Sequence, residues 1–142
     1  VQFIDFAGHW QLSRQITDAL HGQDGRLEGR TAFVPNERGL RYTETGQLSL
    51  ISGAVMQATR SYLWDADDTG VVVRFDTGAP FHRFDLTGTT QGTSHLCGAD
   101  MYLVTYDFTQ WPAWTATWRV TGPRKNYTSI SQYTPDLHLG CP

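Results

Sequence analysis

Residues 40–64, LRYTETGQLSLISGAVMQATRSYLW, decide the fold. In LRYTETGQLSL (40–50) one parity carries Tyr42, Glu44 and Gly46, and in AVMQATRSYLW (54–64) one parity carries Arg60, Tyr62 and Trp64. Side chains alternate between the two faces of a strand, so each segment reads as a strand with one face of bulky and polar groups. The intervening ISG has turn composition, which makes the pair a hairpin.

The same pattern extends in both directions. Before it lie GHWQLSRQIT (8–17) and RLEGRTAFVP (26–35). After it come GVVVRFD (70–76), PFHRFDL (80–86), DMYLVTYDF (100–108), WTATWRVTG (114–122) and YTSISQYTP (127–135). Between these segments stand turn or loop stretches such as GQDG, NERG, DADDTG and LTGTTQG. ITDALHGQDG (16–25) reads either as a short helix or as the end of the first strand, and the alternation before it favours strand.

Composition agrees. Aromatic residues make up 13 % of the 142, while there are one Lys and three Glu, so strand formers outweigh helix formers. The prediction is an all-β chain: a single antiparallel up-and-down β-barrel of about 8–10 strands, in one domain over residues 1–142. Closure removes the edges that an open meander would expose; a two-sheet sandwich is the alternative. The face bearing Tyr42, Glu44, Arg60, Tyr62 and Trp64, with Asp100, Tyr102, Val104, Tyr106 and Phe108 of a later strand, suits a wet cavity better than a dry core. An outward face rich in Tyr and Arg is the competing reading.

The charge of -3 and the scattered Arg residues argue against nucleic-acid binding, and no apolar run approaches the ~20 residues of a membrane-spanning helix. The opening VQFIDFAGHW lacks the form of a leader, and only Cys97 and Cys141 are present. The expectations are therefore a cytoplasmic location, no disulfide framework, and a monomer or homodimer.

Four constellations carry possible chemistry. Gly8-His9-Trp10 opens the first strand, and Trp10 can plug a barrel end. His82, and His95 with Cys97, Asp100 and Tyr102, supply general acid/base candidates; Gly98 suggests a β-bulge that brings His95 and Asp100 together. A satisfied buried His–Asp pair is the structural alternative. His, Cys and Asp are also zinc ligand types, and His82 or His95 can serve as an axial haem ligand. No second Cys/His pair is present and the polar neighbours disfavour haem, so no metal or other cofactor is expected.

The inward charges Arg14, Glu44, Arg60 and Asp100 must pair with one another, with water or with a ligand, because an unpaired interior charge costs several kcal/mol. Arg beside Tyr hydroxyls makes a seat for a carboxylate or phosphate; an internal Arg–Glu pair is the bland alternative. Finally, Gly122-Pro123-Arg124-Lys125 follows the Trp118 strand. It forms either a positive rim at a barrel mouth or a cap in which Arg124 or Lys125 covers Trp10.

These motifs in order, G-x-W, Y-x-E-x-G, R-x-Y-x-W, F-H at 81–82, H-x-C-x-x-D-x-Y at 95–102, W-x-V-x-G-P-x-K at 118–125 and a closing Tyr133, resemble a family across nearly the whole chain. It is a family of small, uncharacterised bacterial and fungal proteins, a domain of unknown function with a calycin-like, lipocalin-type barrel. FDTGAPFH (75–82) departs from the family's F-x-D-G-R-x-F-H by lacking the Arg. The resemblance implies a barrel that binds small apolar or amphipathic molecules, sometimes haem, with catalysis in a minority of relatives.

The leading expectation is a small-molecule-binding protein for an amphipathic or anionic ligand. The lining would be Arg14, Tyr42, Glu44, Arg60, Tyr62, Trp64, His82, His95, Asp100, Tyr102, Trp118 and Lys125. The second is a lyase, isomerase or hydrolase using His82 or His95 with Asp100 and Tyr102. The third is an interaction barrel with a dry core and an exposed apolar patch at Trp111, Pro112 and Trp114.

Overall fold

A computed structural model of the chain describes residues 1–137. A 3-10 turn at Phe3–Phe6 leads into eleven strands: β1 Gly8–Asp18, β2 Gly25–Pro35, β3 Leu40–Leu50, β4 Val55–Ala66, β5 Gly70–Phe75, β6 Pro80–Asp85, β7 Thr89–Gln91, β8 His95–Cys97, β9 Asp100–Asp107, β10 Trp114–Gly122 and β11 Lys125–Pro135. They form one antiparallel sheet in the order β6-β5-β4-β3-β2-β1-β11-β10-β9-β7, with β8 also on β9. The chain is an all-β, nearly closed barrel. Among the described residues no helix is long and apolar enough to cross a membrane.

The strands beyond the expected meander are β7 and β8, three residues each and both paired with β9. Three residues are too few for alternation to show. The first strand runs to Asp18, where its carboxylate accepts from the Leu20 and His21 amides at 3.1 and 3.0 Å and holds a turn over residues 19–21. The strand reading of that segment thus holds as far as Asp18.

Closure is incomplete in two places. Between β6 and β7 the barrel is joined through Thr93, whose amide donates to the Arg83 carbonyl at 2.8 Å and whose Oγ1 accepts from the Arg83 amide at 2.9 Å. On β4, the β3 ladder begins at Val55, whereas β5 pairs only with residues 62–66, so residues 55–61 keep one edge without a ladder partner. That low wall lies beside the cavity described below.

One end of the barrel is filled by rings. Phe6, carried in by the 3-10 turn, has no exposed surface, and Phe33, Trp64, Phe108, Trp111 and Trp114 lie around it at 5.1–5.7 Å between centroids. Trp10 joins them and donates its indole N–H to the Phe6 carbonyl at 2.8 Å. Each buried aromatic side chain contributes roughly 1.5–3 kcal/mol by leaving water, so this plug is a main source of stability. The expected exposed patch at Trp111, Pro112 and Trp114 is corrected here: Trp114 is buried and Trp111 packs into the plug.

Lys125 is also corrected as a cap over Trp10. In the β1–β11 ladder Trp10 stands opposite Pro135, while Lys125 begins β11 at the other end. Cys97 is a free, exposed thiol; Cys141 lies outside the described residues.

Candidate functional site

Above the aromatic plug the barrel widens into a cavity of about 310 Å³, within the range of small-molecule pockets. The inward parity on β3 and β4 is the expected one: Tyr42, Glu44, Arg60, Tyr62 and Trp64 all line it. Tyr102 and Tyr106 of β9 and Trp118 of β10 line it as well.

Its middle layer is a closed polar network. Arg14 on β1 grips Glu44 on β3 with two parallel bonds, Nη1 to Oε2 at 2.7 Å and Nη2 to Oε1 at 2.9 Å, and its Nε donates to Ser131 at 2.7 Å. The Tyr42 hydroxyl donates to Glu44 Oε1 at 2.5 Å and lies 2.8 Å from the Tyr133 hydroxyl. Burial opposes charge on Glu44, but the Arg14 bonds and charge hold its carboxyl below the ordinary carboxylate range. Burial drives the Tyr42 phenol up, so it remains a donor. Arg14 is thus consumed by Glu44, the structural alternative raised for these charges.

Arg60 differs. It stands opposite Glu44 in the β3–β4 register and lines the cavity, yet among the described residues it makes no hydrogen bond or ion pair. Burial opposes its charge and Arg14 repels it, but the surrounding groups, the Glu44 carboxylate among them, more than offset both, so the guanidinium stays charged. It is exposed at the mouth, on the strand segment whose edge lacks a partner.

Both imidazoles face this cavity. His82 reaches it because the β5–β6 register slips between Val73 and Arg74: Val73 pairs with His82 and Arg74 with Pro80, leaving Phe81 as the extra residue of a bulge. Phe81 and His82, adjacent in sequence, therefore both line the cavity. The bulge expected at Gly98 is corrected. Gly98, with φ 61°, and Ala99 turn a two-residue hairpin between β8 and β9 in which Cys97 pairs with Asp100 and His95 with Tyr102.

His82 Nε2 lies 2.8 Å from the Tyr106 hydroxyl, its Nδ1 has no partner, and burial, reinforced by His95, pushes its pKa down to about 3. His95 rests edge-on to Phe75 and Phe81, with centroids at 5.5 and 5.2 Å. Asp100 is engaged by Lys125 at 3.2 Å, and Lys125 also donates to the Tyr102 hydroxyl at 3.0 Å. Among the described residues no carboxylate bonds to either imidazole: His82, His95 and Tyr102 line the cavity, whereas Asp100 and Lys125, expected in the lining, pair with each other outside it, so the proton-transfer set of His, Asp and Tyr is not assembled. No group of three or more His, Cys, Asp and Glu among the described residues is arranged to hold a metal ion.

Sequence reading missed several lining residues. Phe81 stacks on Trp118 at 5.1 Å and on Phe75 at 4.4 Å, making one wall. Phe75, at the end of the short strand β5, has too little alternation around it to announce its face. Tyr106, expected on the inward face with Tyr102, does line the cavity; its pairing with His82 is what alternation did not name. Trp114 and Tyr133 stack at 3.8 Å and form part of the floor.

A family model, DUF6314, described as a family of unknown function, matches residues 6–135. The chain belongs to the DUF6314 family. No curated protein matches it in sequence. Among solved structures, this DUF6314 barrel is similar to an S-type phycobiliprotein lyase from Guillardia theta, with a TM-score of 0.66 and 11 % identity over 94 % of this chain and 90 % of that one. It is also similar to a DUF3598-family protein of unknown function from Nostoc punctiforme, with a TM-score of 0.58 and 12 % identity over 94 % of this chain and 48 % of the other. At such identities the likeness to both concerns the fold. The DUF6314 chain covers about half of the Nostoc protein.

Proposed function

We propose that this barrel binds a small amphipathic acid, with its ring or chain against the aromatic walls and its anionic group at Arg60. The carrying observation is the Arg60 guanidinium, the one Arg or Lys of the cavity lining that has no hydrogen-bond or ion-pair partner among the described residues. A guanidinium beside two phenols recognises a carboxylate through paired N–H donors and excludes cations by repulsion. Tyr62, Phe81 and Trp118 supply apolar surface next to it. The Arg14–Glu44 pair sets the polar floor of this compartment without competing for the ligand's charge. The structural likeness to the phycobiliprotein lyase supports a ligand-holding barrel only at the level of fold.

The test is a fluorescence titration of the cavity tryptophans with naphthalene-2-carboxylate and its neutral carboxamide. The acid is expected to bind at least about tenfold more tightly, and Arg60→Met to erase that preference. Equal binding of the two probes, or a preference untouched by Arg60→Met, would overturn the reading.

A further inference from the structure

The free polar groups around the cavity are biased towards donors. Glu44 is the one carboxylate of its lining, and both oxygens already accept bonds from Arg14 and Tyr42. Among the described residues, the lining groups without a hydrogen-bond partner include the Arg60 guanidinium and the indole N–H groups of Trp114 and Trp118, which only donate. Hydroxyls such as Tyr62 and Ser129 act either way.

His82 adds a donor, and hydrogen-bond accounting identifies which nitrogen carries it. The Tyr106 hydroxyl is buried, and its partner is His82 Nε2 at 2.8 Å. Burial keeps this phenol protonated, and its O–H has Nε2 as the acceptor in reach. If Tyr106 donates to Nε2, the imidazole proton sits on Nδ1, and one buried donor is unmet. If Nε2 donates instead, both the Tyr106 O–H and the Nδ1 lone pair are unmet. The first arrangement leaves fewer orphaned groups and is the stable tautomer.

We infer that the ligand has two acceptor poles: an anionic group at Arg60, and at its inner end an uncharged carbonyl oxygen that accepts from His82 Nδ1–H. This rests on the small-acid reading above and specifies its substrate class as keto, ester or amide acids. The inner pole is uncharged because the imidazole there is neutral, its pKa held at about 3, and the nearby cation Arg14 is neutralised by Glu44. The imidazole stands perpendicular to Phe81 and Trp118, at 4.7 and 5.0 Å, and Nδ1 is shut from solvent. Admission of the carbonyl therefore requires one of these neighbouring rings to turn aside. Phe81 sits on the bulge of β6, outside the regular ladder, where a ring can move without breaking strand hydrogen bonds.

Three probes of one shape separate the two poles: 4-benzoylbenzoate, 4-benzylbenzoate with CH2 in place of the ketone, and 4-methylbenzophenone without the carboxylate. By calorimetric titration of the wild-type chain, 4-benzoylbenzoate is expected to bind about tenfold more tightly than 4-benzylbenzoate, the worth of one neutral hydrogen bond. In His82→Phe the two acids should come within about twofold of each other. If the acids bind alike in the wild type while 4-methylbenzophenone binds far more weakly, the inner pole is overturned and the Arg60 seat stands. If 4-methylbenzophenone binds as tightly as 4-benzoylbenzoate, the Arg60 seat is overturned while the comparison of the two acids still reports on His82. Binding of neither acid overturns both. Should His82→Phe fail to fold, the wild-type comparison decides alone.

Discussion

Glu44 and Arg60 stand directly opposite each other across the β3–β4 ladder, yet they do not form an ion pair: both Glu44 oxygens are held by Arg14 and Tyr42 from the barrel's interior. A bidentate grip with a third bond from a phenol outcompetes a single contact across the strand. The consequence is one neutralised pair in the middle of the barrel and one free guanidinium at its mouth.

Removing the Glu44 charge should therefore be felt through Arg14. Glu44→Gln leaves a buried guanidinium without a counter-charge and is expected to cost about 3–5 kcal/mol in urea unfolding. The double change Arg14→Met with Glu44→Leu should recover much of that loss, since neither charge then remains to be desolvated. A Glu44→Gln midpoint equal to wild type would mean that water, not Glu44, satisfies Arg14.

Acid should destabilise the fold in two windows of opposite chemistry. His82 has a folded pKa of about 3 against an ordinary 6.5, so the unfolded chain binds its proton first as pH falls. Its contribution is whole above pH 6.5 and falls by up to about 1.4 kcal/mol per pH unit between there and pH 3. Glu44, held below its ordinary value, stabilises above its unfolded pKa and is lost only at lower pH, as its folded-state carboxylate protonates. His82→Phe should flatten the slope of urea stability between pH 6.5 and 4.5 while leaving the later loss. An unchanged slope would place the imidazole in contact with water.

The Gly29–Gly46 cross-strand pair admits no side chain. A Cβ on Gly29 would sit 2.0 Å from the Thr45 carbonyl oxygen, and one on Gly46 would sit 2.8 Å from the Glu28 carbonyl oxygen. Gly29→Ala is expected to lower stability by about 1–3 kcal/mol as the β2–β3 wall is forced apart. Gly88→Ala is the control, because its nearest neighbour, Thr109 Cγ2, lies at an ordinary 3.5 Å. Similar melting temperatures for the two variants would count against a tight wall.

Lys125 is a rim residue whose partners, Asp100 and Tyr102, are partly in water. Lys125→Met should change stability by less than about 1 kcal/mol, and by less still at high salt. A loss comparable to that of Glu44→Gln in thermal melts would contradict its place at the mouth.

How far the sequence could be read depended on the length and regularity of each element. The long strands β1–β4, β9, β10 and β11 carry enough alternation to announce themselves, and the inward parity of Tyr42, Glu44, Tyr62, Trp64 and Tyr106 follows from it. The three-residue β7 and β8 do not. Gly98 is the flexible residue of a turn, and sequence alone does not separate that use of a positive φ from a bulge.

The all-β class, the antiparallel strands and the list of polar and aromatic side chains that could face an interior were legible in the sequence, because alternation and turn chemistry are local properties of the chain; closure into a barrel rather than a two-sheet sandwich rests on the β1–β11 pairing across the chain. Which of those groups remain free was settled only by tertiary structure. That Arg14 takes Glu44 from across the barrel and leaves Arg60 unpaired depends on residues 30 apart along the chain meeting in space. That Phe81 and His82 face the same cavity depends on a register slip against β5, and that Phe6 plugs the barrel depends on where a short turn enters its end. Pairing, register and desolvation are set by neighbours that alternation does not name, and they turn a list of candidates into a site.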